Sequence, residues 1–459
     1  MAFTRQQVAL ISIASVAAFM GTFLISSVNI ALPRIEQEFN LTAIELSWTV
    51  TSFLLATAIL LLPIGRWADI YGIFKTYKIG IVLFTLGSLA CGWVQSGFWF
   101  IVFRFIQGIG AAFTNATGTA ILVSAFPTQY RGRVLGISIS GVYLGLATGP
   151  FVGGIITQYV GWRMLFYLST VIGIIIAFLA IRILKDTEKH HPVNREKFSY
   201  LESIIYMTGL ILLVYGSSKI PHTAGWLMMA AGLSTLILFW RIENRSASPM
   251  LNTQLFTKNR LFAYSNLAAL INYSATYSIV FILSLYLQKI KGLSPRDAGA
   301  ILITQPLIMA VFSPIAGRLS DKIQPHLLAS IGMLICSSGL FMLSFLSATF
   351  PTTSILLILA WLGIGFAMFS SPNMNTIMSS VDKTYYGVAS ATASTMRVVG
   401  QITSMTLITI FFALIIGNKA IDLAPPLQFL SVTRHSFLLF SLICLIGVYF
   451  SYYRGKLHK

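Results

Sequence analysis

Charge is scarce in this chain: only 10% of its 459 residues are charged, and just 13 are Asp or Glu. With 56% of the residues hydrophobic, a water-soluble globule of this length has no way to hide its apolar surface, so the surrounding solvent is lipid. Cysteine is nearly missing as well. Cys91, Cys336 and Cys444 all fall inside apolar runs, which leaves them as small buried hydrophobes and excludes a disulfide or zinc framework. No G-x-x-x-x-G-K-[ST] loop occurs, which disfavours an ATP-driven pump. No constellation of nucleophile, base and acid appears either, so the chain reads as no enzyme, with no cofactor and no metal. The first apolar run lacks a small-residue cleavage site and reads as a retained span, not a signal peptide.

What is present is apolar length. Runs of roughly 18 or more residues, enough to cross a bilayer, recur fourteen times. Their approximate limits are 8–32, 46–64, 78–96, 98–123, 134–158 and 162–184, then 200–217 and 223–240. The last six lie near 261–288, 298–316, 327–348, 352–373, 387–416 and 435–453. The expected fold is therefore all-α and integral to the membrane. Residues 1–184 would form one six-helix bundle, 185–260 a linker with two additional helices, and 261–459 a second six-helix bundle with a cytoplasmic tail. Most of the 31 basic residues fall on the side shared by the two termini, against Arg34, Lys219, Lys289, Lys291, Arg296, Lys419 and Arg434 opposite. That bias predicts a cell (plasma) membrane protein with both ends cytoplasmic. The net charge of +18 then belongs to loops beside anionic lipid, and no nucleic-acid partner is expected. Nothing in the sequence requires more than a monomer.

One further absence shapes the functional reading. Glu36, Glu38, Glu45, Asp297 and Asp422 read as outer-loop residues, and the other acidic residues fall on the cytoplasmic side, so none lies near mid-membrane. Proton-coupled carriers normally use an intramembrane group that titrates, and cation sites a buried negative charge. Arginine, by contrast, is embedded twice, at Arg104 and Arg397, at a cost of at least ~2.5 kcal/mol each on insertion scales. Each either bonds helix carbonyls and amides to lock the bundle, or lines a cavity and meets an anionic or carbonyl-bearing substrate. Asn29, Asn115, Tyr143, Asn272, Tyr277, Asn373 and Asn375 are the other candidate substrate contacts, and the alternative for each is an interhelical hydrogen bond.

The chain also repeats itself. Leu41-Thr42-Ala43-Ile44-Glu45 opens the second run and Leu293-Ser294-Pro295-Arg296-Asp297 the tenth, at the same offset that separates Asp69 from Asp321. Each copy closes on a Gly-Arg-x-x-Asp turn, Gly65 to Asp69 with Gly72 following, and Gly317 to Asp321. These turns are read as cytoplasmic loops that gate, with Asp69 pairing with Arg131 or Arg133. Two duplicated six-span halves are a transporter architecture with the substrate site at their interface. In the fifth run, small residues at Gly145, Gly149, Gly153 and Gly154 and the bend-forming Pro150 suit close helix packing or an alternating-access seal.

These stretches resemble the fourteen-span drug:proton antiporter branch of the major facilitator superfamily. Gly65 to Gly72 resembles its loop motif G-x-L-a-D-r-x-G, with Trp67 and Ile70 at the usual leucine and basic positions. Arg104-x-x-Gln107-Gly108-x-Gly110-Ala111-Ala112 resembles the fourth-span motif. Gly136 followed by Gly145-x-x-x-Gly149-Pro150-x-x-Gly153-Gly154 resembles the fifth-span antiporter motif. Gly161-Trp162-Arg163-Met164-Leu165-Phe166 and Arg397-x-x-Gly400 resemble the sixth- and thirteenth-span signatures. The resemblance implies two six-helix bundles plus two extra central helices, and multidrug efflux of small organic molecules by alternating access against protons. It also implies an acidic residue in the first span, where this chain has Leu24. The expected function is thus export of amphipathic compounds, neutral or anionic, with protons as the coupling partner. The alternative is a facilitator or symporter for a metabolite, lipid or peptide.

Overall fold

The computed structural model describes residues 4–184, 198–246, 249–251, 253–382, 386–417 and 419–455, apart from the side chains of 128, 129, 131–133, 135, 321 and 387. Among these residues, fourteen helices are long and apolar enough to cross a membrane. They are α1 (Arg5–Phe39), α2 (Ala43–Tyr71), α3 (Ile73–Trp93), α4 (Gly97–Ala125), α5 (Thr128–Tyr159) and α6 (Arg163–Ile183). A hairpin of α7 (Tyr200–Ser217) and α8 (Thr223–Glu243) follows. Then come α9 (Arg260–Ile290), α10 (Pro295–Ser320), α11 (Pro325–Leu343) and α12 (Thr352–Ser379). The last two are α13 (Tyr386–Phe411, extended by a π turn at Phe412–Ile416) and α14 (Pro426–Tyr453).

Several helices outrun the apolar stretches that announced them, because hydropathy marks length in lipid and caps mark the end of the hydrogen-bond ladder. The ladder of α1 continues to Phe39 and stops where Asn40 turns left-handed (φ 51°), so Glu36 and Glu38 are helical and not loop residues. Pro425 and Pro426 open α14, which draws Arg434 out of the expected loop into a helix. Asn375 lies inside α12, and Arg131 and Arg133 inside the first turns of α5. The Gly65 to Gly72 segment is also corrected. It forms the last two turns of α2, and the reversal into α3 is made at Gly72 alone (φ 105°), a conformation that favours glycine. Gly317 likewise sits within a helix.

The duplication is visible in the packing. In the first bundle α1 lies on α5, α2 on α4, and α3 on α4 and α6; in the second, α9 lies on α13, α10 on α12, and α11 on α12 and α14. Lipid gives helices no hydrophobic reason to associate, so small residues decide where they touch. Gly80 and Gly87 of α3 face α4 so closely that an added Cβ would meet Phe113 at 2.6 Å and Gln107 at 2.7 Å. Gly332 and Gly339 give α11 the same approach to α12, against Phe369 at 2.6 Å and Leu362 at 2.7 Å. The helix starts repeat too. Thr42 caps α2 in a box with Glu45, and Ser294 caps α10 by accepting from the Asp297 N–H at 3.1 Å.

The bundles meet along a seam where α2 packs on α13 and α5 on α10, with α1 reaching α9. The α7–α8 hairpin lies against α2 and α13. Tyr206 donates to the Ala58 carbonyl at 3.0 Å and Tyr215 sets its ring edge-on to Trp48.

Candidate substrate site

Midway along α9 the helix is interrupted at Tyr277 and Ser278. The freed Ser278 N–H donates to Ser404 Oγ of α13 at 3.2 Å, and Ser404 Oγ donates back to Ser278 Oγ at 2.9 Å. Interrupted backbone at membrane depth persists only where protein supplies such partners, and it is a recurring element of transport sites.

One turn before the break, Tyr273 faces Arg397 of α13 and Tyr143 of α5, with Ser370 of α12 beside it. This cluster draws on both bundles. Gly400, one turn after Arg397, lets α13 close on α9, since a Cβ there would lie 2.6 Å from the Leu270 carbonyl. Arg397 is half-buried and has no carboxylate partner among the described residues. Its guanidinium, facing the Tyr273 phenol, offers five donors to an anionic or carbonyl group.

Arg104 has the other fate. It is 1% exposed, its Nε donates to the Thr49 carbonyl at 3.0 Å, and one terminal nitrogen donates to Gln107 Oε1. Gln107 in turn donates to Ser88 at 2.7 Å, and the guanidinium lies 4.5 Å from the Phe53 ring centre. Arg104 thus ties α2, α3 and α4 together. Tyr277 faces it from the second bundle, with its hydroxyl buried and carrying no hydrogen bond.

The asparagines divide in the same way. Asn29 lies in the seam, its carbonyl accepting from Ser284 at 2.6 Å and its side-chain oxygen unpartnered. Asn115 is exposed on α4. Of the other three, Asn373 and Asn375 brace the second bundle internally and not the seam, while the Asn272 amide is buried with neither polar atom hydrogen-bonded. Asn272 is buried beside Cys336, and Asn375 donates to Ser320 at 3.3 Å. Asn373 donates to the Ser265 carbonyl at 3.1 Å and accepts from Arg454 at 2.5 Å. Arg454, expected among the cytoplasmic basic residues beyond the last span, is 1% exposed. Together with Tyr273 and Ser370, it is a residue that hydropathy gave no reason to select.

Around the site, the seam is closed at the end away from the termini. Gln288 donates to the Ile30 carbonyl at 2.9 Å, Ala43 N–H to the Lys419 carbonyl at 2.8 Å, and Arg296 N–H to Gln158 at 3.2 Å. Ser47 and Thr409 hydroxyls meet at 2.9 Å. Lys289 Nζ lies 2.7 Å from Glu36 Oε2, whose other oxygen accepts from Ile421 N–H at 2.8 Å. The α5 glycines split between two duties. Gly145, Gly149 and Gly153 press on α1, whereas Gly154 faces the Pro295 carbonyl of α10 and Gly299 faces the Pro150 carbonyl. Toward the terminal end, Gly65 and Gly136 have open space around them, and Ile137, Ile139 and Ser140 are exposed. Asp69 faces Arg66 on its own helix, while the Arg131, Arg133 and Asp321 side chains lie outside the described residues. Leu24, where an acid was expected, is 1% exposed.

The chain and its fold have counterparts among known proteins. The model of the Major Facilitator Superfamily matches residues 11–405. The riboflavin transporter RibZ of Clostridioides difficile (strain 630) is 28% identical over 97% of this chain and 96% of its own. The cephamycin export protein CmcT of Amycolatopsis lactamdurans is 31% identical over 84% of this chain and 81% of its own. The crystal structure of a D-xylose–proton symporter superposes with a TM-score of 0.69 at 14% identity, covering 97% of both chains, which is a likeness of fold. Sequence motifs, packing and relatives agree that this chain is a transporter belonging to the Major Facilitator Superfamily.

Proposed function

We propose that the protein exports amphipathic organic compounds, neutral or anionic, across the cell membrane by alternating access, with both termini in the cytoplasm. The distribution of basic residues supports that orientation. In it, the closed end of the seam faces outward and substrate reaches the Tyr143–Tyr273–Arg397 cluster from the cytoplasm. Arg397 carries the substrate reading. A half-buried guanidinium facing the Tyr273 phenol, with no described carboxylate beside it, repels cations and receives acids, carbonyls and aromatic faces. The likeness to an antibiotic exporter supports a small organic substrate. With no acid at mid-membrane, protons would enter the cycle on an acid group of the substrate or through a helix-end carboxylate such as Asp69 or Glu202.

The test is flux of an anionic dye in proteoliposomes, with and without an imposed pH gradient. Gradient-dependent efflux that is lost in Arg397→Ala supports the proposal. Flux indifferent to the gradient favours the second reading, facilitation or symport of a metabolite, which the end-to-end likeness to a riboflavin transporter supports. Unchanged dye flux in a folded Arg397→Ala protein defeats the anion site.

A further inference from the structure

Two residues apart on α1, Glu36 and Glu38 hold ion pairs of different kinds. Glu38 pairs with Arg163 of α6 at 2.6 Å, is 41% exposed, and stays within the first bundle. Glu36 pairs with Lys289 at 2.7 Å, across the seam, with side chains 1% and 8% exposed. Movement of one bundle against the other leaves the first pair intact and must break the second.

We infer, building on the alternating-access reading, that Glu36 and Lys289 form a charge latch that holds this end of the seam shut and sets how readily it opens. A buried charge stripped of its partner is strongly unfavourable, so a lone Glu36–Lys289 pair would jam the carrier. Asp422 relieves that. It contacts Lys289 Nζ at 2.5 Å, is 42% exposed, and belongs to the same bundle as Lys289. When the bundles separate, Lys289 keeps Asp422 as its partner. Glu36 opens toward a crevice of about 480 Å³, lined by Arg34, Gln37, Gln288, Lys289 and Asp422, that adjoins the latch. Glu36 also gives up the Ile421 N–H, which its other oxygen accepts at 2.8 Å. Closed and open states therefore compete for one ammonium, with Glu36 favouring closure and Asp422 favouring opening. The two acids should have opposite effects when neutralised.

The experiment uses the full-length protein with its three cysteines replaced and Thr409→Cys as reporter, a residue whose hydroxyl meets Ser47 inside the closed seam. Labelling by a membrane-impermeant maleimide, applied from the closed side, reads opening whether or not a substrate is known. Glu36→Gln should speed labelling about tenfold or more, the scale of a lost population bias of ~1.4 kcal/mol. Asp422→Asn should slow it, and Glu38→Gln should leave it unchanged. In a second arm, a short reducible bis-thiol cross-linker between Glu36→Cys and Lys289→Cys should arrest dye transport until reductant is added. The same reagent between Glu38→Cys and Arg163→Cys should not. Monodisperse elution of each variant shows that it is folded. Equal labelling in Glu36→Gln and Glu38→Gln, or transport undiminished by the Glu36–Lys289 cross-link, overturns the latch. A latch that passes the labelling test while no dye moves leaves the gate standing and removes the substrate reading alone.

Discussion

Arg104 and Arg397 bring the same side chain to the same membrane and arrive at different jobs. Arg104 is enclosed in the first bundle, with a carbonyl on Nε, a glutamine oxygen on a terminal nitrogen and a phenyl ring beneath the guanidinium. Arg397 stands half-buried at the seam, facing the Tyr273 phenol of α9. Embedding costs both roughly the same on insertion scales, at least ~2.5 kcal/mol. Arg104 offsets that cost with fixed protein partners and so contributes rigidity. Arg397 leaves donors unused, which makes it available to a substrate. On the proposed reading, the difference in partners separates a structural charge from a substrate-facing one better than depth in the bilayer does.

The contrast can be broken in graded steps. The largest effect is expected for Arg104→Ala. Losing hydrogen bonds to a charged group and the ring contact removes on the order of 3 kcal/mol or more, visible as a melting temperature lowered by several degrees in detergent, with transport lost along with the fold. Next comes Arg397→Ala, which should melt within ~0.5 kcal/mol of the parent, as changes away from a packed network do. It should nevertheless lose about tenfold in transport of an anionic dye, equivalent to ~1.4 kcal/mol. A lysine scan sharpens the comparison. Lysine keeps the charge but not the planar fork, so Arg397→Lys should retain most transport while Arg104→Lys still melts early. The smallest effect belongs to Tyr273→Phe. Removing one phenol from the cluster should raise the dye KM by a few-fold, the worth of a single hydrogen bond at ~0.5–1.5 kcal/mol, with melting unchanged.

Much of the architecture was legible before any coordinates. Fourteen spans follow from apolar run length, and the repeated Leu-Thr and Leu-Ser starts mark two helix caps that the fold realises at Thr42 and Ser294. The proposed substrate site was legible only in part. Arg397, Tyr143 and Tyr277 stand out as polar groups in apolar runs. Tyr273 does not, because an aromatic in a span reads equally well as packing. Asn272, Asn373 and Asn375 stand out just as strongly as the seam residues, yet pack within the second bundle, since composition says nothing about which face of a helix meets which neighbour. Glu36 and Lys289 were read as separate loop charges because the apolar run ends near Pro33, whereas the helix continues to Phe39. Their pairing joins residues far apart in sequence, and Arg454 is missed for the same reason, its partners Ser265 and Asn373 lying on other helices.

The central claim, that the Arg397 cluster receives neutral or anionic compounds and disfavours cations, is tested most directly by equilibrium binding to the purified protein. Two fluorescent dyes of matched size and opposite charge would be titrated against the parent and Arg397→Ala. The account predicts that the parent binds the anionic dye about tenfold more tightly than the cationic one, a preference of ~1.4 kcal/mol, and that the preference disappears in Arg397→Ala. Equal or tighter binding of the cationic dye by the parent, or a preference that survives in Arg397→Ala, would contradict it.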